Sequence, residues 1–151
     1  LVRTHGLFAD APRVADFLAT CARTASFRDG ELILREGEPV DRFFLLRSGR
    51  AALETHVPGR GGAVVGTVGE GDPLGLSWLV PPCLSDFDAR AIGTVHALAF
   101  DASCLREKCE RDHSIGYAFY RLLLPAMVGR LRTARMQALG LHAGTAGGKA
   151  V

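Results

Sequence analysis

Two acidic residues near the middle of the chain, Asp86 and Asp88, are the first candidates for acid–base chemistry. They stand at the edge of a predicted strand, where carboxylates are normally solvated. No G-x-S-x-G, H-E-x-x-H or P-loop motif occurs, and no cysteine stands at a catalytic spacing from a histidine. The sequence therefore does not predict an enzyme.

Four cysteines and five histidines are the residues that could bind a metal or perform redox chemistry. The cysteines are Cys21, Cys83, Cys104 and Cys109. They form no C-x-x-C pair, and none stands beside a histidine at a metal-ligand spacing. We expect them to be small buried apolar residues in a reducing cytosol, and we predict no metal site. An iron–sulfur or redox role would need a tighter cysteine cluster.

The positive charge of the chain is concentrated toward its C-terminus. Residues 113–151 contain five basic residues and no acidic one, so residues 1–112 hold 13 of the 18 Lys and Arg and all 16 Asp and Glu. Such a segment can meet an acidic partner. We favour a simpler interpretation, in which cations near the end of a helix complement the helix dipole and solvate its outer face.

Length and composition indicate one domain with a single sizeable core. The chain has 151 residues, of which 48% are hydrophobic. No apolar run approaches the roughly 20 residues that span a bilayer, and residues 1–12 lack the order of a signal peptide. We therefore expect a cytoplasmic protein.

Short β-type runs separated by glycine turns dominate residues 26–100. Six strands at this spacing predict a β-roll or sandwich, with the Pro-Gly-rich stretch 58–62 as a hairpin tip. The predicted strands are 32–34, 43–46, 51–55, 63–68, 87–92 and 95–100.

Helices flank the predicted strands on both sides. The first should be capped by Asp10, contain Pro12 near its start, place Val14, Phe17 and Leu18 on one face, and end near Cys21. A second helix is predicted from Asp101, and a longer one from about Ser114 to Leu139. Residues 141–151 are rich in Gly and Ala and are predicted to form a flexible tail.

The stretch EGEPVDRFFLLRSG at 36–49 joins an acidic turn, an apolar β-type run and a second turn at Ser-Gly. It resembles the first signature of the cyclic-nucleotide-binding domain, the β-roll sensor of catabolite activator protein and of cyclic-AMP-dependent kinase. The matching residues are Gly37, Asp41, Phe43, Phe44, Leu45, Leu46 and Gly49, while Val40 stands where a small residue is usual. The resemblance implies a mainly β fold with one N-terminal and two C-terminal helices.

The resemblance also implies what kind of module this is. The predicted domain covers 1–140, with the roll at about 26–100 and the C-terminal helices at about 101–139. In transcription factors of the family a winged helix-turn-helix follows the long helix. Only about a dozen residues follow it here, so we expect no direct sequence-specific DNA binding.

In this family a short segment binds the cyclic nucleotide. The Glu of a Gly-Glu pair at a helix start takes the ribose 2′-hydroxyl, and an Arg some ten residues later pairs with the phosphate. The matching segment is 69–91, in which Leu74-Gly75 fits the opening but Leu76 replaces the Glu. Ser85, followed by Asp86, falls where the Arg should be, and Arg90 falls at a basic position within the next strand. A slipped alignment would instead make Arg90 the phosphate ligand.

The same segment is mostly apolar and allows two interpretations. In the first, the segment lines a pocket for a less polar ligand, with Trp78 as a stacking platform and Leu74, Gly75, Leu76 and Ser77 as further candidate binding residues. In the second, which we slightly favour, the side chains of the segment fill the pocket. The chain then binds cyclic AMP weakly or not at all, and a cyclic AMP or cyclic GMP sensor with a non-standard pocket is the alternative.

The long helix is the predicted site of assembly. One apolar stripe contains Leu122, Ala126, Gly129, Thr133 and Met136, and a neighbouring one contains Leu123, Met127, Leu131, Ala134 and Ala138. One stripe should cover the roll, and the other should meet a second copy or a larger protein. Pro125 inside this helix should kink it.

Overall fold

Six antiparallel strands form one sheet in the computed structural model, which describes residue 2 and residues 6–140. The strands are β1 (Ala22–Phe27), β2 (Leu32–Leu34), β3 (Arg42–Val57), β4 (Gly61–Val68), β5 (Pro73–Leu74) and β6 (Asp88–Asp101). Strand β6 pairs with β1, β2 and β3, and β3 pairs in turn with β4 and β5. The predicted roll with flanking helices is confirmed, while the predicted tail lies outside the described residues.

The turn predicted at Ser48-Gly49 is wrong, because β3 runs through it without a break. The register of β3 against β6 shifts on both sides of Ser48, so bulges bend the strand where the sequence suggested a turn. Gly49 has φ +84°, and a Cβ atom there would lie 2.4 Å from the carbonyl oxygen of Thr94. A glycine is therefore required at this close approach.

Strands β1 and β5 were not predicted from the sequence. The roll begins at Ala22 rather than at residue 26, because β1 alternates polar and small residues and has no apolar run. The predicted strands 87–92 and 95–100 are also one continuous strand, β6. Pairing with neighbouring strands, which local pattern does not reveal, decides these bounds.

The apolar run of β3 is buried because both faces of the strand are covered. Phe43 and Leu45 point to a core shared with the helices, whereas Phe44 and Leu46 point to the inside of the roll. This alternation with period two follows from strand geometry. A strand covered on both faces has no polar face, which explains the unbroken apolar sequence.

Three helices lie outside the sheet: α1 (Pro12–Leu18), α2 (Ala102–Arg111) and α3 (His113–Ala138). Asp101 and Asp112 cap α2 and α3 by accepting hydrogen bonds from the backbone N–H groups of Cys104 and Ile115. The cap predicted at Asp10 is wrong, since Ala11 occupies the N-cap and no side chain caps α1. Among the described residues, no helix is long and apolar enough to cross a membrane.

The expectation that all four cysteines are free is also wrong. Cys21 and Cys104 form a disulfide with a Cα–Cα distance of 5.7 Å, whereas Cys83 and Cys109 are free. The two bonded residues are 83 positions apart, so no sequence spacing could suggest the pair. The bond joins the segment after α1 to the first turn of α2.

Candidate functional site: a groove between the roll and the long helix

A short segment after β5 forms one wall of a groove beneath α3. Gly75, the residue before a 3₁₀ turn at Leu76–Leu79, has φ +87°. A Cβ atom there would lie 2.9 Å from the carbonyl oxygen of Arg42, so the chain can turn here only with glycine. Leu74 before it is fully buried inside the roll. Leu76 and Ser77 are the first two residues of the 3₁₀ turn and line the groove.

Trp78 does not line the groove. Its side chain is 1% exposed and packs in the core, with its ring centroid 6.5 Å from those of Phe43 and Phe119. Its indole Nε1 has no hydrogen-bond partner among the described residues. This position does not suit the stacking platform considered from the sequence.

The two residues at the expected arginine position offer no cation to the groove. Ser85 is 4% exposed, and its hydroxyl donates a hydrogen bond to the carbonyl oxygen of Phe87 at 2.6 Å. Asp86 is exposed and lies on the groove wall with its negative charge. A carboxylate at this place repels an anionic ligand rather than attracting it.

Arg90 lies outside the groove on the face of β6 opposite to that of Ala89 and Ala91, which are buried inside the roll. Its Nε lies 3.3 Å from a carboxylate oxygen of Glu54, and its guanidinium donates to the carbonyl oxygen of Gly30 at 2.9 Å. These contacts agree with the in-strand position assigned from the sequence. They leave Arg90 away from the residues that line the groove.

The groove consists of two cavities that share a wall. The first, here called the cassette cavity, has a volume of about 760 Å³ and lies between residues 76–87 and α3. The second, here called the strand cavity, has a volume of about 930 Å³ and lies between β4 and α3. Both have predominantly apolar linings, and both are large enough for a small organic ligand.

Arg130 of α3 lies at the junction of the two cavities and lines both. It donates a hydrogen bond to the carbonyl oxygen of Pro73, the first residue of β5. Burial lowers the pKa of its guanidinium, and the negative charge of Asp72 opposes that shift. An arginine nevertheless keeps its charge at neutral pH. Among the described residues, it is the one cation that lines either cavity.

The sequence interpretation missed this role, because it assigned the basic residues of the C-terminal segment to the outer face of the helix. A usable signal was present, because Phe119, Leu123, Ala126 and Arg130 follow one another at helical spacings of four, three and four residues. The first two are buried in the core, so the same face of the helix continues over the groove.

Two other groups with shifted pKa values lie away from the groove, where α2 meets α3. Burial raises the pKa of the Cys109 thiol, and burial also raises the pKa of the Tyr120 phenol. No cluster of three or more potential metal ligands occurs among the residues that the structure describes. The groove, with its two cavities and Arg130, is the candidate ligand site.

The sequence model of the cyclic nucleotide-binding domain matches residues 24–112, which is more than half of the chain. The chain belongs to the cyclic-nucleotide-binding domain family. No curated protein matches it.

Solved structures have the same fold. A protein of Geobacter metallireducens GS-15, described as a cyclic-nucleotide-binding protein, is 25% identical with a TM-score of 0.75, covering 85% of this chain and 94% of that one. A cyclic-nucleotide-binding domain of Methylobacillus flagellatus KT has a TM-score of 0.79 at 17% identity, covering 89% of this chain and 75% of that one. Catabolite activator protein of Thermus thermophilus has a TM-score of 0.69 at 20% identity, covering 89% of this chain and 62% of that one.

Proposed function

We propose that this chain is a regulatory binding module of the family, whose groove binds cyclic AMP and cyclic GMP weakly or not at all. The observation that carries the proposal is the wall formed by residues 76–87. That wall presents Leu76 and the carboxylate of Asp86. The hydroxyl of Ser85 donates a hydrogen bond to the backbone carbonyl of Phe87 and so is not directed to a ligand. Neither the acid that would bind the ribose nor the arginine that would bind the phosphate stands at the position that the family resemblance assigns to it.

The loss of these two contacts has a predictable size. A hydrogen bond to a charged group contributes about 1.5–3 kcal/mol. Two such bonds together correspond to roughly a 100-fold to 10,000-fold change in affinity. The negative charge of Asp86 adds repulsion toward a phosphodiester. The remaining apolar contacts favour a less polar ligand.

A gain-of-function variant tests the proposal directly. Calorimetry should show that Leu76→Glu combined with Ser85→Arg and Asp86→Ser binds cyclic AMP about 100-fold more tightly than the unmodified chain. Arg90→Gln is the matched control, since Arg90 is held by Glu54 outside the groove and its loss should not change this affinity. Melting curves establish that each variant is folded.

Tight cyclic AMP binding by the unmodified chain would contradict the proposal. If the unmodified chain binds cyclic AMP with a sub-micromolar dissociation constant, the proposal is wrong and the chain is a cyclic-nucleotide sensor. If Arg90→Gln then abolishes that binding, Arg90 is the phosphate ligand and the slipped alignment is right.

A second candidate function, assembly through α3, rests on the outer face of that helix. Tyr117, Leu124, Val128 and Leu131 are 65%, 51%, 41% and 51% exposed, and they follow at spacings of seven, four and three residues. This is the spacing of a coiled-coil seam. An exposed apolar patch of this kind is typical of a protein interface.

The seam differs from the two stripes considered from the sequence. Ala126, Gly129 and Thr133 line the strand cavity, and Met127 lines the cassette cavity. Leu123 is fully buried. Both stripes therefore face the roll over much of their length, although Leu131 of the second stripe belongs to the outward seam.

Charge placed on the seam should break the assembly. Leu124→Glu combined with Leu131→Glu should convert a homodimer into a monomer in sedimentation experiments, because burying a carboxylate in an apolar interface costs several kcal/mol. Ile92→Glu, an exposed apolar position on the roll, is the control and should leave the dimer intact. A monomer at high concentration in the unmodified protein would exclude self-association and leave pairing with a larger protein.

A further inference from the structure

The guanidinium of Arg130 has more hydrogen-bonding capacity than the protein uses. A guanidinium carries five N–H donors. Within the described part of the chain, Arg130 makes one hydrogen bond, to Pro73, and no salt bridge within 4.0 Å. A half-buried cation with unused donors is costly unless an anion or water meets it.

None of the acidic residues described around the groove forms a salt bridge with Arg130. Glu36 accepts hydrogen bonds with both carboxylate oxygens, from the hydroxyl of Thr55 and the backbone N–H of His56. One oxygen of Asp72 accepts the backbone N–H of Gly69. Asp86 is exposed on the far wall of the cassette cavity. Asp72, which also lines the strand cavity, acts on Arg130 through space without a direct ion pair.

The strand cavity beside Arg130 suits an apolar body. Leu53, Val65 and Val68 form its strand side, and Pro125, Ala126 and Ala134 form its helix side. Val65 is 42% exposed although it is apolar, which leaves a hydrophobic wall in contact with solvent. The same cavity therefore combines a solvent-exposed apolar wall, which a ligand can bury, with the Arg130 guanidinium, whose remaining donors can bind an anion.

We propose that the strand cavity binds an organic acid with an apolar body, and that the carboxylate of this ligand pairs with Arg130. The inference rests on the proposed function, since it names the class of less polar ligand that the groove takes. The planar guanidinium can hold a carboxylate through two parallel hydrogen bonds. The body of the ligand lies between β4 and α3 and covers the valine side chains there.

Three probes with one apolar body separate the contributions of the charge and the body. Calorimetry and thermal shift should compare octanoate, 1-octanol and octylamine, together with cyclic AMP. Octanoate should bind about 10-fold to 100-fold more tightly than 1-octanol, because a charge-assisted pair is added to the same apolar contact. Octylamine should bind more weakly than 1-octanol. Binding should raise the melting temperature with ligand concentration.

Variants on α3 locate the site. Arg130→Gln should weaken octanoate binding about 10-fold or more and leave 1-octanol binding unchanged, while Arg130→Lys should retain part of the octanoate affinity. Arg132→Gln is the matched control, an exposed arginine two residues away, and should bind octanoate normally. Gly129→Leu should abolish the binding of both probes, because a Cβ at Gly129 meets nothing within 4 Å and the side chain would fill the strand cavity.

Four outcomes would overturn the inference: no octanoate binding, equal binding of octanoate and 1-octanol, unchanged octanoate affinity in Arg130→Gln, or unchanged affinity in Gly129→Leu. The comparison of octanoate with 1-octanol uses the unmodified protein and does not depend on the folding of any variant. Tight cyclic AMP binding would instead refute the proposed function, so the two failures are distinguishable.

Discussion

The two halves of α3 differ in what they contact. In residues 113–123 the inward face of the helix is closely packed. The backbone of Gly116 lies against α2, and the side chains of Phe119 and Leu123 are fully buried in the core. In residues 124–138 no residue is buried, and the inward side chains line the groove instead. One continuous helix therefore combines a packed half with an open half.

The difference indicates how a single helix can serve both stability and binding. A packed helix end fixes the position of the whole helix, since cores are close to crystal density and tolerate little movement. The open end then extends over the groove at a defined place. Local stability should follow the same division, because segments with few buried contacts open at a lower free energy. Substitutions of matched chemistry in the two halves can test this.

The largest expected effect comes from removing an aromatic ring in the packed half. Phe119→Ala should lower the free energy of unfolding by about 3–5 kcal/mol, because it leaves a cavity among Phe8, Phe43 and Trp78. Met136→Ala in the open half should change it by no more than about 0.5 kcal/mol. Urea unfolding measures both. Similar losses in the two variants would show that the halves do not differ in packing.

Removal of the disulfide near the packed half should cause the next largest loss in the free energy of unfolding. Cys21→Ser should lower the free energy of unfolding by about 2–4 kcal/mol, since the bond closes a long loop in the unfolded chain. Cys83→Ser is the control, because Cys83 is free. Octanoate binding in the open half should be unaffected at temperatures where Cys21→Ser is folded. Equal melting temperatures with and without a reducing agent would contradict this prediction.

The smallest changes in stability are expected from alanine substitutions at two glycines of α3, and the two changes should have opposite signs. A Cβ at Gly116 would lie 2.9 Å from the carbonyl oxygen of Cys109, so Gly116→Ala should destabilise the protein by about 1–3 kcal/mol. Gly129 has open space around it, so Gly129→Ala should stabilise the protein by about 0.5–1 kcal/mol through helix propensity alone. Thermal unfolding compares them. A gain in stability from both substitutions would remove the contrast between the halves.

The fold could be predicted from the sequence where local pattern and glycine turns carried the information. The strand 43–46, the hairpin tip at 58–62 and the helix beginning after Asp101 appear close to their expected places. The loss of the cassette contacts stays a prediction, made from the residue types at Leu76, Ser85 and Asp86. Arg90 does lie within β6, as the alignment assigned it.

The remaining features could not be predicted, because they depend on which distant segments meet. Gly49 suggested a turn, but pairing with β6 makes it a bulge within one strand. Cys21 and Cys104 showed no spacing, yet the packing of α2 against the segment after α1 brings them together. The seam of exposed apolar residues on α3 became visible only once the groove-facing side was known.

The amino-acid sequence by itself determined the strand alternation, the start of α2 after Asp101, and the chemical types along residues 74–90. Only the tertiary structure decided that Trp78 is a core residue and that Arg130, rather than Arg90, is the cation of the groove. The physical reason is that residue type and local spacing fix what a side chain can do. Burial and electrostatic partners, which come from segments far apart in sequence, decide what it does.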